Sequence, residues 1–355
     1  MKRRLKTILL ALPGFERACR ALTRGHVRAL MYHRFSDRTT GDPRFVDRGT
    51  LAAQGDLIAR HHARWTPDEH LATVTGGPRP AGRCPVVVTA DDGYHDFHDV
   101  AFGVFRRAGI PAMLFVTTGF VDGSHWFWWD RLEHVLHQAP AGAPAVDVGG
   151  RRLDLDLTSP RGRRAAWHQV ADRCRFLPDR QKEEAVARLA ADLGVALPAA
   201  PPAPYRPVTW EQIAAMAEAG LPMGAHTVSH PILSRVGEDE AAREIRASVE
   251  RLAARLDRPV RWFAYPQGGP ADWTPAVRDA VAAVCAGCYL AYQDLARADD
   301  PFTLPRYCVT ADMVDFRWML CGAEHLFLRL RRLLGRPTGV GAGYWAGADP
   351  SGENP

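Results

Sequence analysis

The stretch Val86-Val87-Val88-Thr89-Ala90-Asp91-Asp92-Gly93-Tyr94 constrains this chain more than any other. Three consecutive valines read as a strand apolar on both faces, the kind buried in a parallel sheet. That strand runs straight into two adjacent carboxylates and a glycine. Neighbouring residues on a regular strand point to opposite faces. Asp91 and Asp92 can therefore serve one site only at the strand's C-terminal end, where Gly93 lets the chain bend. In barrels of alternating strands and helices, that end carries the active site. Two carboxylates this close raise one pKa unless a cation neutralises them. The doublet asks for a metal.

The remaining chain supports an α/β reading. Ala29-Leu30-Met31-Tyr32-His33 reads as a first strand, Ala112–Val116 as the one after the doublet, and helical periodicity covers Thr50–His62 and Asp96–Ala108. Strand, helix and strand joined by short links predict right-handed parallel units. From about 122 to 207 the character changes: Trp126-Phe127-Trp128-Trp129, a hairpin-like alternation from Val146 to Leu157, two helical segments and a proline-rich link. This reads as a mostly helical insertion between two barrel strands. The alternation then resumes with a helix capped by Thr209, a strand at Leu221–Gly224, a helix at Glu238–Leu256 and a strand at Val260–Ala264. Further strands are expected at Gly287–Ala291 and Leu304–Val309. The resulting expectation is a distorted TIM-like (β/α)7 barrel over 29–312. Before it lies a basic, amphipathic segment at 1–28. After it come one amphipathic helix at 313–336 and a disordered tail at 337–355.

Composition excludes some classes. The net charge of +5 is small for 355 residues, and no Lys/Arg stripe is interleaved with aromatics, so nucleic acid is not an expected partner. Seven scattered cysteines do not form a disulfide framework and favour a reducing, cytoplasmic setting. Cys285 and Cys288 lack a second pair and read as buried thiols. Lys2-Arg3-Arg4 followed by Thr7–Leu12 has the order of a signal peptide, but Pro13 and Glu16 interrupt it and no cleavage site follows. An amphipathic helix on the domain or on a membrane surface is an equal reading, which makes peripheral membrane contact an expectation to test. Arg329, Arg331, Arg332 and Arg336 among the leucines of the last helix point the same way, although packing on the barrel is the simpler role.

His226 and His230 are four apart, so on a helical turn they face one way. With one carboxylate they form a two-His-one-Asp set that leaves a position open, as catalytic zinc sites do. H-x-x-x-H alone is common by chance. Its place directly after a predicted strand, like that of the doublet, raises its weight.

At this point the chain resembles the polysaccharide deacetylases with a NodB homology domain, from about Ala29 to Val309. Thr89-Ala90-Asp91-Asp92-Gly93 is similar to that family's T-F-D-D-G. His226-Thr227-Val228-Ser229-His230 matches H-[ST]-x-x-H, and Phe263-Ala264-Tyr265-Pro266-Gln267-Gly268 resembles F-A-Y-P-x-G. The resemblance implies a metal-dependent deacetylase acting on an N-acetylated glycan. Asp91 would be the general base. Asp92, His226 and His230 would hold a divalent ion, Zn2+ first, with Co2+, Ni2+ or Mn2+ as alternatives. The backbone N–H of Gln267 would stabilise the oxyanion. Two departures stand out. The arginine expected two residues before the third-motif proline is Ala264, and Arg306 is the candidate substitute, weighed evenly against an ordinary surface arginine. The usual late acid histidine is not recognisable, so His33 is the alternative acid, weighed against a core histidine; His325 reads as structural. Trp126, Trp128 and Trp129 suggest a sugar platform or, more simply, an anchor for the insertion. The rival readings are a deformylase or deacetylase of another amide on the same fold, and a non-catalytic glycan-binding barrel.

Overall fold

The computed structural model describes residues 3–77, 82–293 and 300–336, so the expected tail lies outside the described residues. Seven short strands carry the architecture: β1 (Arg28–Tyr32), β2 (Pro85–Ala90), β3 (Met113–Val116), β4 (Met223–Ala225), β5 (Trp262–Ala264), β6 (Gly287–Tyr289) and β7 (Tyr307–Cys308). All pair in parallel, in the order β6-β5-β4-β3-β2-β1-β7. The two edges meet through the chain just ahead of β7. There Leu290 N–H donates to Leu304 O (2.8 Å) and Leu304 N–H to Cys288 O (3.0 Å). The sheet curls into the distorted (β/α)7 barrel that the strand–helix alternation predicts. Its distortion is visible at β2, whose first residues pair with an unforeseen strand, Ala63–Trp65, while β3 pairs only with Thr89 and Ala90.

Residue parity explains how β2 delivers its chemistry. Val86, Val88 and Ala90 join the large core between strands and outer helices, whereas Val87 packs in the barrel interior with Ala29, Met113, Phe115, Tyr289 and Leu304. Alternation along the strand therefore aims Thr89 and Asp91 inward with Val87. By the same count on β1, Leu30 and Tyr32 face outward with the large core, and Ala29 and His33 face inward.

The segment after β3 builds a core of its own. The helix Trp128–Gln138, the antiparallel hairpin Ala145–Val148/Arg151–Asp154 and the helices Pro160–Cys174 and Asp179–Asp192 close on each other around Leu132, Val148, Trp167 and Leu189. Tyr94 and Phe120 tie this cluster to the barrel. The Thr209 cap is realised as a full capping box with Gln212. The helix expected from Asp96 instead begins as a π-helical run, Phe97–Phe102, before turning α-helical over Gly103–Arg107.

The single C-terminal helix expected from Met313 onward is two helices, Met313–Leu320 and Ala323–Leu333. Gly322 separates them at φ 92°, a left-handed conformation that glycine adopts without steric cost. A side chain there would also collide: an added Cβ would lie 2.2 Å from Thr23 Oγ1 and 2.5 Å from Arg28 Nη2. Arg28 is fully buried, and its guanidinium donates to Leu320 O (3.0 Å), Thr23 O (3.1 Å) and His26 O (2.6 Å). The N-terminal segment, helices Arg3–Ala11 and Phe15–Leu22, packs on this pair around Leu10, Cys19, Trp318 and Cys321. His325 stacks on His26 (3.8 Å) in the same region and takes no part in the site, as its structural reading requires. Replacing Gly322→Ala is expected to destabilise the fold by more than ~1 kcal/mol, because the backbone conformation is incompatible and Arg28 is displaced. Urea-unfolding midpoints of the two proteins check this.

Candidate metal centre

Strand register brings the three motifs to one rim. Ala90, Val116, Ala225 and Ala264 end four consecutive parallel strands of the sheet, so Asp91-Asp92, Thr117, His226 and Tyr265 all follow at the same end of the barrel. Asp91 N–H donates to Tyr32 O (3.0 Å), Thr117 N–H to Asp92 O (3.2 Å) and His226 N–H to Val116 O (2.9 Å). The bend expected at Gly93 (φ 90°) already begins at Asp92, which is itself left-handed at φ 76°. Such a conformation is uncommon for a non-glycine residue and is stored at functional sites. It brings Asp92 to the same end of the barrel as Asp91.

His226 and His230 do not ride a helix, contrary to the expectation from their spacing. They flank an irregular loop with Thr227 at φ 65° and His230 at φ 59°. Three sets of bonds hold that loop. Thr118 N–H donates to Thr227 O (3.1 Å) and Gly119 N–H to Val228 O (2.8 Å). Thr117 Oγ1 and Thr227 Oγ1 both donate to His226 O. Glu244, from the helix Glu238–Leu256, accepts from Val228 N–H (2.8 Å), Ser229 N–H (2.9 Å) and Ser229 Oγ (2.7 Å). No side chain is tolerated at position 119, where a Cβ would lie 2.5 Å from Val228 O.

The donor set fits a cation. Asp92 Oδ1 lies 3.6 Å from His226 Nε2 and 3.5 Å from His230 Nε2, all three residues being buried. His226 Nδ1 sits 2.7 Å from Ala264 O, which makes Nδ1 the protonated nitrogen and leaves a lone pair on Nε2. Burial holds both imidazoles neutral, the His230 pKa well below the ordinary value. Lone pairs thus converge on a carboxylate oxygen, an arrangement that repels itself unless a positive charge lies between. Without a cation, Asp92 has its pKa raised well above the usual range, first by burial and then by Asp91 and Asp130.

Asp91 is treated differently. Burial alone would raise its pKa, but Arg306, His226 and His33 outweigh it and the net shift is downward. Arg306 is fully buried, so it is no surface arginine: Nη1 donates to Asp91 Oδ1 (2.7 Å) and Nη2 to Asp91 Oδ2 (2.6 Å). Its remaining bonds go to Thr89 Oγ1 and Leu290 O, both at 2.8 Å. His33 is half-buried and electrostatically coupled to Asp91, Arg306 and His226; burial is the main cause that lowers its pKa to about 4. Gln267 adopts φ 58°, and its backbone N–H has no hydrogen-bond partner among the described residues.

The tryptophans are buried, so they anchor the insertion and offer no open sugar platform. Trp129 still reaches the site, edge-on to the His230 ring at 4.9 Å, and Phe127, stacked on Trp129, meets the same ring edge-on at 5.5 Å. Trp129 Nε1 donates to Tyr94 OH (2.9 Å), which donates to Asp130 Oδ2 (2.7 Å). Asp130 is fully buried, and burial lifts its pKa to about 7. Neither this chain nor Glu244 was legible beforehand. Glu244 looks like the solvated face of a long amphipathic helix; only the Tyr94 that closes the doublet motif hinted at the other.

Residues 166–284 match the family described as Polysaccharide deacetylase, a stretch that holds the second and third motifs and leaves out the doublet. No curated protein matches the chain in sequence. Among solved structures, IcaB from Ammonifex degensii aligns at a TM-score of 0.55 and 20% identity, over 83% of this chain and 97% of that one. The Streptococcus pyogenes deacetylase PplD in complex with acetate aligns at 0.53 and 16%, over 81% and 93%. A de-N-acetylase from Aggregatibacter actinomycetemcomitans aligns at 0.50 and 11%, over 81% and 96%. At these identities the likeness is one of fold.

Glu244→Ala frees the histidine loop while leaving every donor atom in place. Affinity for a divalent cation is expected to fall ~10- to 100-fold, the range for residues that orient metal ligands. Competition titration with a chromogenic chelator measures it.

Proposed function

We infer, for a chain that carries a NodB-like polysaccharide deacetylase domain, a metal-dependent hydrolase that removes N-acetyl groups from a glycan. The substrate would be an N-acetylated sugar in a polysaccharide, oligosaccharide or lipid-linked glycan. One observation carries the reading: a carboxylate held ionised by a buried bidentate arginine, Asp91, stands beside a separate two-His-one-Asp set. A base and a cation site made from neighbouring residues are what amide hydrolysis by water requires.

A divalent ion held by Asp92, His226 and His230, Zn2+ before Co2+, Ni2+ or Mn2+, would supply Lewis acidity and a lowered pKa for water. The protein's own groups do the rest. Asp91 takes a proton from the attacking water, and Arg306 keeps it ionised to do so. The N–H of Gln267, on left-handed backbone after the third motif's proline, would donate to the oxyanion formed from the acetamide carbonyl. The C–N bond then breaks, and the nitrogen leaves as an amine once it has gained a proton. His33 is the proposed donor. It is neutral at pH 7, so in this reading it must first receive the proton that Asp91 has taken. The missing third-motif arginine and the missing late histidine are the features that favour a non-catalytic glycan-binding barrel; the Arg306–Asp91 pair supports the catalytic reading against it.

Asp91→Asn is expected to keep its metal while kcat falls at least ~100-fold, the usual weight of a general base; a near-normal rate would remove Asp91 from that role. His226→Ala is expected to lose the metal itself, read by elemental analysis of the purified protein. The pH profile tests Arg306. Because Arg306 lowers the Asp91 pKa, the base stays ionised well into acid. Arg306→Lys loses the two-pronged contact, so the acid limb of kcat/KM against pH should move upward, with activity lost sooner as pH falls. The overall assay is amine release from a panel of N-acetylated glycans with divalent metal supplied. A protein that binds no metal and releases no amine would be a binding module.

A further inference from the structure

No helix among the described residues is long and apolar enough to cross a membrane. Large apolar side chains are nevertheless left in water at one place. Among the described residues eight such side chains are exposed, and seven of them lie on three helices or at their ends, Arg3–Ala11, Phe15–Leu22 and Ala323–Leu333. Leu5, Ile8 and Leu12 follow one another at helical spacing along one face, with Ile8 60% exposed. Leu22 (69%) closes the second helix; Leu330, Leu333 (84%) and Leu334 line the third.

These helices are firmly seated, so the exposure is not that of a fraying end. Their opposite faces bury Leu10, Cys19 and Ala323 in a small core with Trp318 of the helix Met313–Leu320. Arg3 pairs with Asp312 (2.7 Å), Lys6 with Asp315 (2.8 Å), and Arg317 with Glu16. The fold thus spends its apolar contacts on one side of each helix and holds the other outward.

Charge identifies the occupant. Arg4, Arg17, Arg24, Arg329, Arg332 and Arg336 are exposed on the same helices and the residues bordering them, and none has an ion-pair partner among the described residues. Glu16 and Glu324 are the acidic residues of these helices, and both already accept bonds, from Arg20 and Arg317 and from Trp318 respectively. A second copy related by a two-fold axis would set this cationic border against itself. An anionic bilayer meets both requirements: phosphate headgroups for the arginines and an apolar layer beneath for the leucines.

We propose that the three-helix face, with its exposed leucines bordered by unpaired arginines, docks the protein on an anionic lipid bilayer as a peripheral membrane protein. The docking uses no residue of the metal centre.

The test is co-sedimentation of the full chain with vesicles of phosphatidylcholine alone or with one quarter phosphatidylglycerol. Binding is expected to the anionic vesicles, weakened by added salt, and much weaker to the neutral ones. The double variant Ile8→Glu/Leu333→Glu should bind at least ~10-fold more weakly. Arg329→Gln/Arg332→Gln/Arg336→Gln should also weaken binding and flatten its salt dependence. Thermal unfolding and divalent-metal affinity like those of the parent exclude misfolding for either variant. No binding to anionic vesicles, equal binding to both kinds, or unchanged binding of the Glu variant would each overturn the proposal. So would a dimer in light scattering that the Glu variant dissociates while vesicles go unbound.

Discussion

The buried pair of Arg306 and Asp91 is the interaction on which the site depends. Two charges taken out of water carry a large desolvation cost, repaid only when geometry and hydrogen bonds are complete. Here they are: the guanidinium makes two short bonds to the carboxylate and two more, to Thr89 and Leu290. The pair spans the barrel interior from the chain before β7 to the end of β2, over the rings of Phe115 and Tyr289. It therefore joins the last strand to the doublet strand and sets the charge state of Asp91. Architecture and chemistry rest on the same four bonds.

Adjacent carboxylates with opposite electrostatic fates follow from this arrangement. Asp91 has an arginine and is held ionised; Asp92 has two neutral imidazoles and more negative charge nearby, and is pushed the other way. Separating the environments of paired carboxyl groups is how one motif can supply both a base and a ligand, the roles proposed for Asp91 and Asp92. The backbone contributes as well. Asp92, Thr227, His230 and Gln267 all adopt left-handed conformations, so four of the residues around the centre sit on locally unfavourable backbone. The loop bonds from Glu244, Thr117 and Gly119 offset that strain.

The insertion does more than decorate the barrel. Trp129 and Phe127 form the wall behind His230, and the Trp129–Tyr94–Asp130 chain fixes that wall to Tyr94, two residues after the doublet. The burial that keeps the tryptophans from water also rules them out as a sugar-stacking surface. Their contribution is to exclude solvent from one side of the histidine pair, which strengthens every electrostatic interaction there.

Local pattern was enough for much of this. The valine run, the doublet at its end, the Thr209 cap and the strand–helix alternation each depend on residues within a few positions of one another, and the barrel follows from their order. The seven cysteines, all free, needed only their scatter to be read. Spacing misled where the backbone leaves regular structure: histidines four apart suggested a helical turn, but two left-handed residues make it a loop. A continuous helix was expected across Gly322 because periodicity does not register one glycine. Tertiary structure alone decided the partners that are distant in sequence. Glu244 carries no local signal, since a glutamate on an amphipathic helix is ordinary in any chain, and Arg306 carries only its place near a strand end, which weighs evenly with a surface arginine. Their roles exist only once the barrel closes, because a charge acquires a fixed partner when folding removes the water that would otherwise solvate it.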